Sequence, residues 1–168
     1  MKVQNLMSRN VKTCHQGSNL AEVASLLWEN DCGALPVVDN ENKVVGMISD
    51  RDICFAVATK GRLASEISVG EVVGGKPVYT CTSGDDLQDA LSIMQQQQIR
   101  RIPVIGKEGD IEGILSISDV VLGAETDLRG SKQGVSPNEA ISTLKAICEQ
   151  RHPAHNAAAA SGGSAKQS

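Results

Sequence analysis

Two short segments hold the side chains best suited to gripping a ligand, Gly46-Met47-Ile48-Ser49-Asp50-Arg51-Asp52 and Gly113-Ile114-Leu115-Ser116-Ile117-Ser118-Asp119. Each puts a hydroxyl at the end of an apolar run and a carboxylate three residues later. A carboxylate so placed can accept hydrogen bonds from the vicinal hydroxyls of a ribose, as an acidic residue does in dinucleotide-binding folds. A helix start with serine hydroxyls beside it suits a phosphate. The same S-x-x-D spacing is also a capping box, in which serine and acid satisfy the first turn of a helix. The residue types leave both roles open. A second feature is Arg100-Arg101. Guanidinium groups keep their charge and donate in a fork that fits phosphate. A solvated turn between helix and strand would use the same pair.

These segments belong to a longer duplication. Leu35-Pro36-Val37-Val38 recurs as Ile102-Pro103-Val104-Ile105, with the prolines 67 positions apart. That offset also carries Val11-Lys12-Thr13-Cys14 to Val78-Tyr79-Thr80-Cys81, Gly46 to Gly113, Ser49 to Ser116 and Asp52 to Asp119. Arg100-Arg101 falls opposite Gly33-Ala34, so the shared architecture does not require the charge. In each copy Leu20, Val23, Ala24 and Leu27, or Leu87, Ala90, Leu91 and Met94, follow the spacing of an amphipathic helix. Ser18 or Asn19, and Asp85 or Asp86, suit its N-cap. Two short apolar runs around a polar turn follow, Ala34–Val38 with Val44–Ile48 and Ile102–Ile105 with Ile111–Leu115. They read as strands, and the proline inside the first of each pair predicts a strand start or edge. A second helix opens near Asp50 or Ile117. One such unit exposes an apolar sheet face that it cannot cover alone. Two copies can cover each other, which predicts a pseudo-twofold sandwich.

The joint falls around Thr59–Ile67, where Lys60-Gly61-Arg62 breaks a helical run. The expected division is a first repeat over 1–66, a second over 67–124, a helical extension over 125–152 and a disordered tail over 153–168. Ser136-Pro137-Asn138-Glu139 announces the extension's helix with an N-cap, a proline at the first helical position and a capping-box glutamate. Ala140, Ile141, Leu144, Ala146, Ile147 and Cys148 form its expected apolar side. Gln95–Gln98 reads as a solvated helix face, and Trp28 as either a dimer contact or internal packing.

Among 168 residues, 40% are hydrophobic and only 2% aromatic, so the core must be aliphatic. Few aromatics and a net charge of −4 disfavour nucleic acid as a partner. No apolar run has the length of a membrane span. The first residues lack a secretory hydrophobic segment, which makes the cytoplasm the expected compartment and leaves no membrane partner. Cys14, Cys32, Cys54, Cys81 and Cys148 lack zinc-ligand spacing, so reduced thiols and no metal site are expected. Cys14 and Cys81 occupy matching positions and read as small buried residues. His15, His152 and His155 have no partner motif for catalysis or metal binding.

The doubled unit resembles the tandem cystathionine-β-synthase (CBS) domain pair, the Bateman module. The resemblance spans Val3 to Ala124 and rests on the L-P-V and I-P-V runs, the G-x-x-S-x-x-D segments and their repetition. It implies an α/β (α+β) fold of two pseudo-twofold-related β-α-β-β-α units packed sheet to sheet, here followed by a C-terminal helix. It also implies a regulatory rather than enzymatic role, with no catalytic cofactor. AMP, ADP or ATP would be the ligand, S-adenosylmethionine being possible, and the chain would form a homodimer and act on an unidentified regulated protein. In the second cleft Asp119 would hold the ribose, Ser116 and Ser118 would contact ribose or phosphate, and Arg100 and Arg101 the phosphate. Ile114, with Cys32 from the other copy, would line the adenine slot. The first cleft would use Ser49, Asp52 and Met47, with Arg51 as a phosphate contact. Lacking the arginine pair, it is expected to bind more weakly. The alternative is a ligand-free structural or oligomerisation module.

Overall fold

The offset read in the sequence returns as geometry. The structure, a computed structural model, describes residues 1–127 and 135–149. Strand β1 (Cys14–His15), helix α1 (Leu20–Glu29), strands β2 (Ala34–Val38) and β3 (Val44–Ser49) and helix α2 (Asp50–Lys60) make the first β-α-β-β-α unit. A short helix α3 (Val69–Val73) leads to the second unit. That unit comprises β4 (Cys81–Thr82), α4 (Leu87–Gln97), β5 (Arg101–Ile105), β6 (Ile111–Ser116) and α5 (Ile117–Asp127). Helix α6 (Pro137–Cys148) follows.

Each unit builds a three-stranded sheet with its second strand in the middle, parallel to the first and antiparallel to the third. The registers repeat at the same offset. Cys14 faces Val37 as Cys81 faces Val104, and Leu35 faces Ile48 as Ile102 faces Leu115. Even the irregularity after Val37 recurs after Val104. Between the units, the Val44 N–H donates to the Gly109 carbonyl at 3.2 Å and the Ile111 N–H to the Asn42 carbonyl at 3.3 Å. The offset exchanges these two bonds, so a pseudo-twofold axis passes between the β2–β3 and β5–β6 turns. The fold is the expected pair of units.

The prolines correct one expectation. Pro36 and Pro103 lie in middle strands, not edges or strand starts. The reason is the brevity of β1 and β4. Each pairs with two residues only, Val37 and Val38 or Val104 and Ile105. No residue of the short strand stands opposite the proline, and its missing N–H is asked of no partner there.

The halves also exchange their leading segments. Val3 and Met7 are buried in the second core with Leu87, Leu91, Met94, Ile102, Val104 and Leu115. Ile67, Val69 and Val73 are buried in the first with Leu20, Val23, Leu27, Leu35 and Ile48. Matching backbone bonds pin both segments: Leu87 N–H to the Met1 carbonyl at 2.9 Å, and Leu20 N–H to the Ile67 carbonyl at 3.0 Å.

Asn19 caps α1 through a reciprocal box with Glu22. Asp86 holds the N-cap position of α4 without capping it, because its carboxylate pairs with Lys2 Nζ at 3.2 Å and the terminal amine at 3.5 Å. Helix α2 stops at Gly61, whose φ of 60° a side chain would resist. Ser136 and Glu139 form the expected box at the start of α6.

Helix α6 docks on α4 and α5 of its own chain, burying Ala140, Thr143 and Ile147. The glutamine run is a grip rather than a solvated face. Gln95 Nε2 donates to Thr143 Oγ1 at 2.8 Å, and Gln98 Nε2 donates to the carbonyls of Ala146 and Glu149 at 3.3 and 2.8 Å. Ile141, Leu144 and Cys148, expected on the apolar side, are exposed. The buried stripe instead runs through Thr143, whose hydroxyl Gln95 satisfies. The expected disordered tail lies outside the described residues.

Candidate functional site

Both S-x-x-D segments sit where a strand hands over to a helix, and both fold as complete capping boxes. Asp119 Oδ2 accepts from the Ser116 N–H at 2.7 Å and the Ser116 hydroxyl at 2.6 Å, while Ser116 Oγ accepts from the Asp119 N–H at 3.2 Å. Asp119 Oδ1 has no protein partner among the described residues. In the first half Asp52 Oδ2 makes the same bonds with Ser49, at 3.0 and 2.6 Å. There the second oxygen is taken, because Lys76 Nζ donates to Asp52 Oδ1 at 3.0 Å. Burial pushes the Asp52 carboxyl up, but the bonds from Ser49 and Lys76 and the ammonium charge outweigh it and hold the group below its ordinary value. The halves thus differ in one acceptor. Lys76 lies 24 residues from Asp52, and no spacing in the sequence marks it.

Arg101 stands opposite Ser116 in the β5–β6 register, which puts it at the same strand end as the Asp119 corner. Its guanidinium reaches across to the first half. A methyl group built on Gly33 would lie 3.3 Å from Arg101 Nη2 and 3.2 Å from Asp50 Oδ2. Gly33 therefore leaves room for the arginine to cross. Cys32, half-buried beside it, has its thiol raised by burial and only partly lowered by the Arg101 charge. Cys32 and Arg101, from different copies, are thus brought together. Asp50 joins them, although the sequence singled it out only as a helix start.

The remaining candidates spread around this junction. Arg100 is exposed, and its carbonyl accepts from the Ile117 N–H at 2.9 Å, which fixes the β5–α5 corner. Ser118 is exposed on α5. Ile114 and Met47 are half-buried on the third strands, and the Ile114 backbone exchanges two 2.9 Å bonds with Ser8. Arg51 stacks on Phe55, 5.1 Å from the ring centroid. A cavity of about 480 Å³ opens between α1 and α2, with Cys32, Gly33 and Asp50 among its lining residues. Neither Asp52 nor Asp119 lines it.

Cys14 and Cys81 are buried, and burial pushes their thiols up to about 11 and about 12. Their matching positions are packing positions, where a thiolate is suppressed. Among the described residues no group of three or more His, Cys, Asp or Glu side chains could hold a metal ion. His152 and His155 lie outside those residues. No helix among them is long and apolar enough to cross a membrane.

Comparison with known proteins agrees with this architecture. The CBS domain family matches the chain twice, over residues 3–59 and 69–123. The chain is 32% identical to the CBS domain-containing protein YhcV of Bacillus subtilis over 124 residues, covering 71% of this chain and 83% of that one. Hypoxic Response Protein I, solved with two coordinated zinc ions, is 26% identical with a TM-score of 0.66, covering 73% of this chain and 98% of its own. CBSX2, solved in complex with AMP, is 26% identical with a TM-score of 0.64, covering 76% and 98%. The chain belongs to the CBS domain family and carries the domain twice.

Proposed function

We propose that this CBS pair is a regulatory module that binds an adenosine nucleotide, AMP, ADP or ATP, where its two halves meet. The observation that carries the reading is the division of labour within Asp119. One oxygen caps α5, and the other remains an acceptor for a ribose hydroxyl. Arg101, at the same strand end, supplies a fixed positive charge for phosphate. Arg100, Ser116 and Ser118 complete the polar rim, with Ile114 and Cys32 against the base. CBSX2, which was solved with AMP, supports the ligand class. S-adenosylmethionine has the same ribose and is the related candidate. The cleft of Ser49, Asp52, Met47 and Arg51 is the weaker one, since a ribose there must displace Lys76 from Asp52. We read the role as sensing rather than catalysis, exercised in the cytoplasm through a homodimer and a regulated protein. Ligand can shift such an assembly only by binding one arrangement better than another.

The test is thermal melting of protein stripped of bound small molecules, with AMP, ADP, ATP or S-adenosylmethionine added. At a hundredfold excess over its dissociation constant, a ligand confined to the native state adds about 2.7 kcal/mol. No change with any of the four compounds refutes the reading. One observation favours a second reading, a ligand-free scaffold: both aspartates already have complete structural roles as helix caps. Unchanged melting, together with ultraviolet absorbance free of co-purified nucleotide, would favour that scaffold.

A further inference from the structure

Two of the five cysteines share one cavity. Cys32, half-buried, and Cys54, exposed, both line the hollow of about 480 Å³ between α1 and α2. Cys14 and Cys81 are buried in separate cores, and Cys148 stands exposed on α6. Backbone bonds hold the supports of the two thiols together. The Cys32 N–H donates to the Leu27 carbonyl at the end of α1 at 3.0 Å, and the Asp50 N–H donates to the Gly33 carbonyl at 3.2 Å. Cys54 follows Asp50 by one turn, on the same side of α2. The two thiols therefore face one hollow from adjoining walls.

The repeat does not require these thiols, since its 67-residue offset carries Cys32 to Ile99 and Cys54 to Val121. Their surroundings are unequal, as a two-step exchange needs. Cys54 is open to a reagent. Cys32 is sheltered beside Gly33, where Arg101 crosses from the other half. Burial raises the Cys32 thiol, while the Arg101 charge and a hydrogen bond from the Ala34 backbone act in the opposite direction and favour the thiolate.

We propose that Cys32 and Cys54 form a reversible disulfide by exchange with a small-molecule disulfide, R–S–S–R. In the first step the Cys54 thiolate attacks one sulfur of the reagent. The Cys54–S–R bond forms, the reagent's S–S bond breaks, and the departing thiolate takes up a proton and leaves as R–SH. In the second step the Cys32 thiolate attacks Cys54 Sγ. The Cys32–Cys54 bond forms, and a second R–SH leaves in the same way. The protein loses two electrons and two protons, and the reagent gains them. In a reducing compartment such a bond is transient and acts as a sensor. It ties the segment before β2 to α2 and draws Cys32 away from Arg101 and the base slot, which weakens nucleotide binding. That last consequence rests on the nucleotide reading above; the bond itself does not.

The experiment exposes the full chain, first reduced, to bis(2-hydroxyethyl) disulfide. This reagent is uncharged, so the carboxylates of Asp31 and Asp50 in the same cavity do not repel it. Peptide mapping by mass spectrometry should find Cys32 joined to Cys54, with Cys14 and Cys81 still thiols. Trp28, the only tryptophan, lines the same cavity, and its emission should change as the bond forms. Cys32→Ser should stop at the mixed disulfide on Cys54, and Cys148→Ser should form the same bond as the parent. Affinity for AMP, ADP and ATP, read by calorimetry, should fall about fivefold or more on oxidation and return with reductant. Cys54→Ser should keep the reduced parent's affinity under both conditions. No reaction at either thiol, a mixed disulfide that persists on Cys54 of the parent, or a bond joining other cysteines or two chains overturns the proposal. Equal affinity in the two redox states, or a loss on oxidation that Cys54→Ser shares, overturns the effect on binding alone. A bond that forms in a protein whose reduced state binds none of the three nucleotides upholds the disulfide and overturns the nucleotide reading.

Discussion

Replacing Gly113 with alanine probes the exchange of leading segments. A β-carbon there would lie 2.9 Å from the Ser8 carbonyl oxygen and 3.0 Å from Met7 Sδ. The oxygen is backbone, held by a pair of 2.9 Å bonds between Ser8 and Ile114, and Met7 is buried in the second core. Relief requires moving the segment away. Losing two backbone hydrogen bonds removes about 2 kcal/mol, and overpacking without that movement costs about 1–3 kcal/mol. The expected loss is therefore about 2–4 kcal/mol, or roughly 5–15 °C in melting temperature for a chain of this size. Gly46, the counterpart in the first half, supplies the control. Its β-carbon would meet Val73 Cγ2 at 3.2 Å and Val37 Cβ at 3.3 Å, side-chain atoms that can yield a few tenths of an ångström. Gly46→Ala also restricts the unfolded chain, which stabilises by about 0.4–1 kcal/mol, so its net effect should lie within about 1 kcal/mol of zero. Urea unfolding of the three proteins, followed by circular dichroism, gives the numbers. A loss below about 0.5 kcal/mol in Gly113→Ala, or equal losses in both variants, would refute the reasoning.

Asp119→Ala should lower ligand-free stability by about 1 kcal/mol through the lost cap and abolish the shift with AMP, ADP or ATP. Asp119→Asn keeps an oxygen for Ser116, so it should melt near the parent yet also lose the ligand shift; an unaltered shift in both variants excludes Asp119 from ribose binding. Glu139 is held below its ordinary value by hydrogen bonds from the Ser136 backbone and hydroxyl, with a further one from Gln88. A depressed carboxyl stabilises above its unfolded value, 4.5 here, and that contribution disappears as pH falls through the folded value. The protection of the α6 amides, with their intrinsic exchange divided out, should therefore fall as pH drops from about 5 to 3 in the parent, more steeply than in Glu139→Gln; identical profiles would contradict this. With a thiol reagent at pH 8, exposed Cys54 and Cys148 should react first, and Cys14 and Cys81 only after unfolding. Rapid modification of either buried thiol would mean that its core opens readily.

The element order was legible because one spacing was written twice, and each copy checks the other. The boxes at Ser49–Asp52 and Ser136–Glu139 were legible because capping is local: donor and acceptor are three residues apart. Pairings over longer distances left no mark. Lys76 reaches Asp52 across 24 residues, and Gln95 reaches Thr143 across 48. Glutamine is uncharged and polar, so its pattern looked solvated until a helix from later in the chain supplied acceptors. Pro36 pointed to an edge because a short first strand that leaves one residue uncovered cannot be read from composition. Trp28 stayed ambiguous because the cavity beside it takes shape only when α1 and α2 come together.

The crossed leading segments bear on how the chain acquires its shape during synthesis. Everything in the first core lies before residue 74, so that core can close as soon as Val73 is available. The second cannot finish with later residues alone. It must recover Val3 and Met7 from the start of the chain, across some eighty positions, before Leu87 and its neighbours are sealed. The first core is thus contiguous in the chain, whereas the second joins Val3 and Met7 to residues from Cys81 onward and so closes a loop that contains the whole of the first.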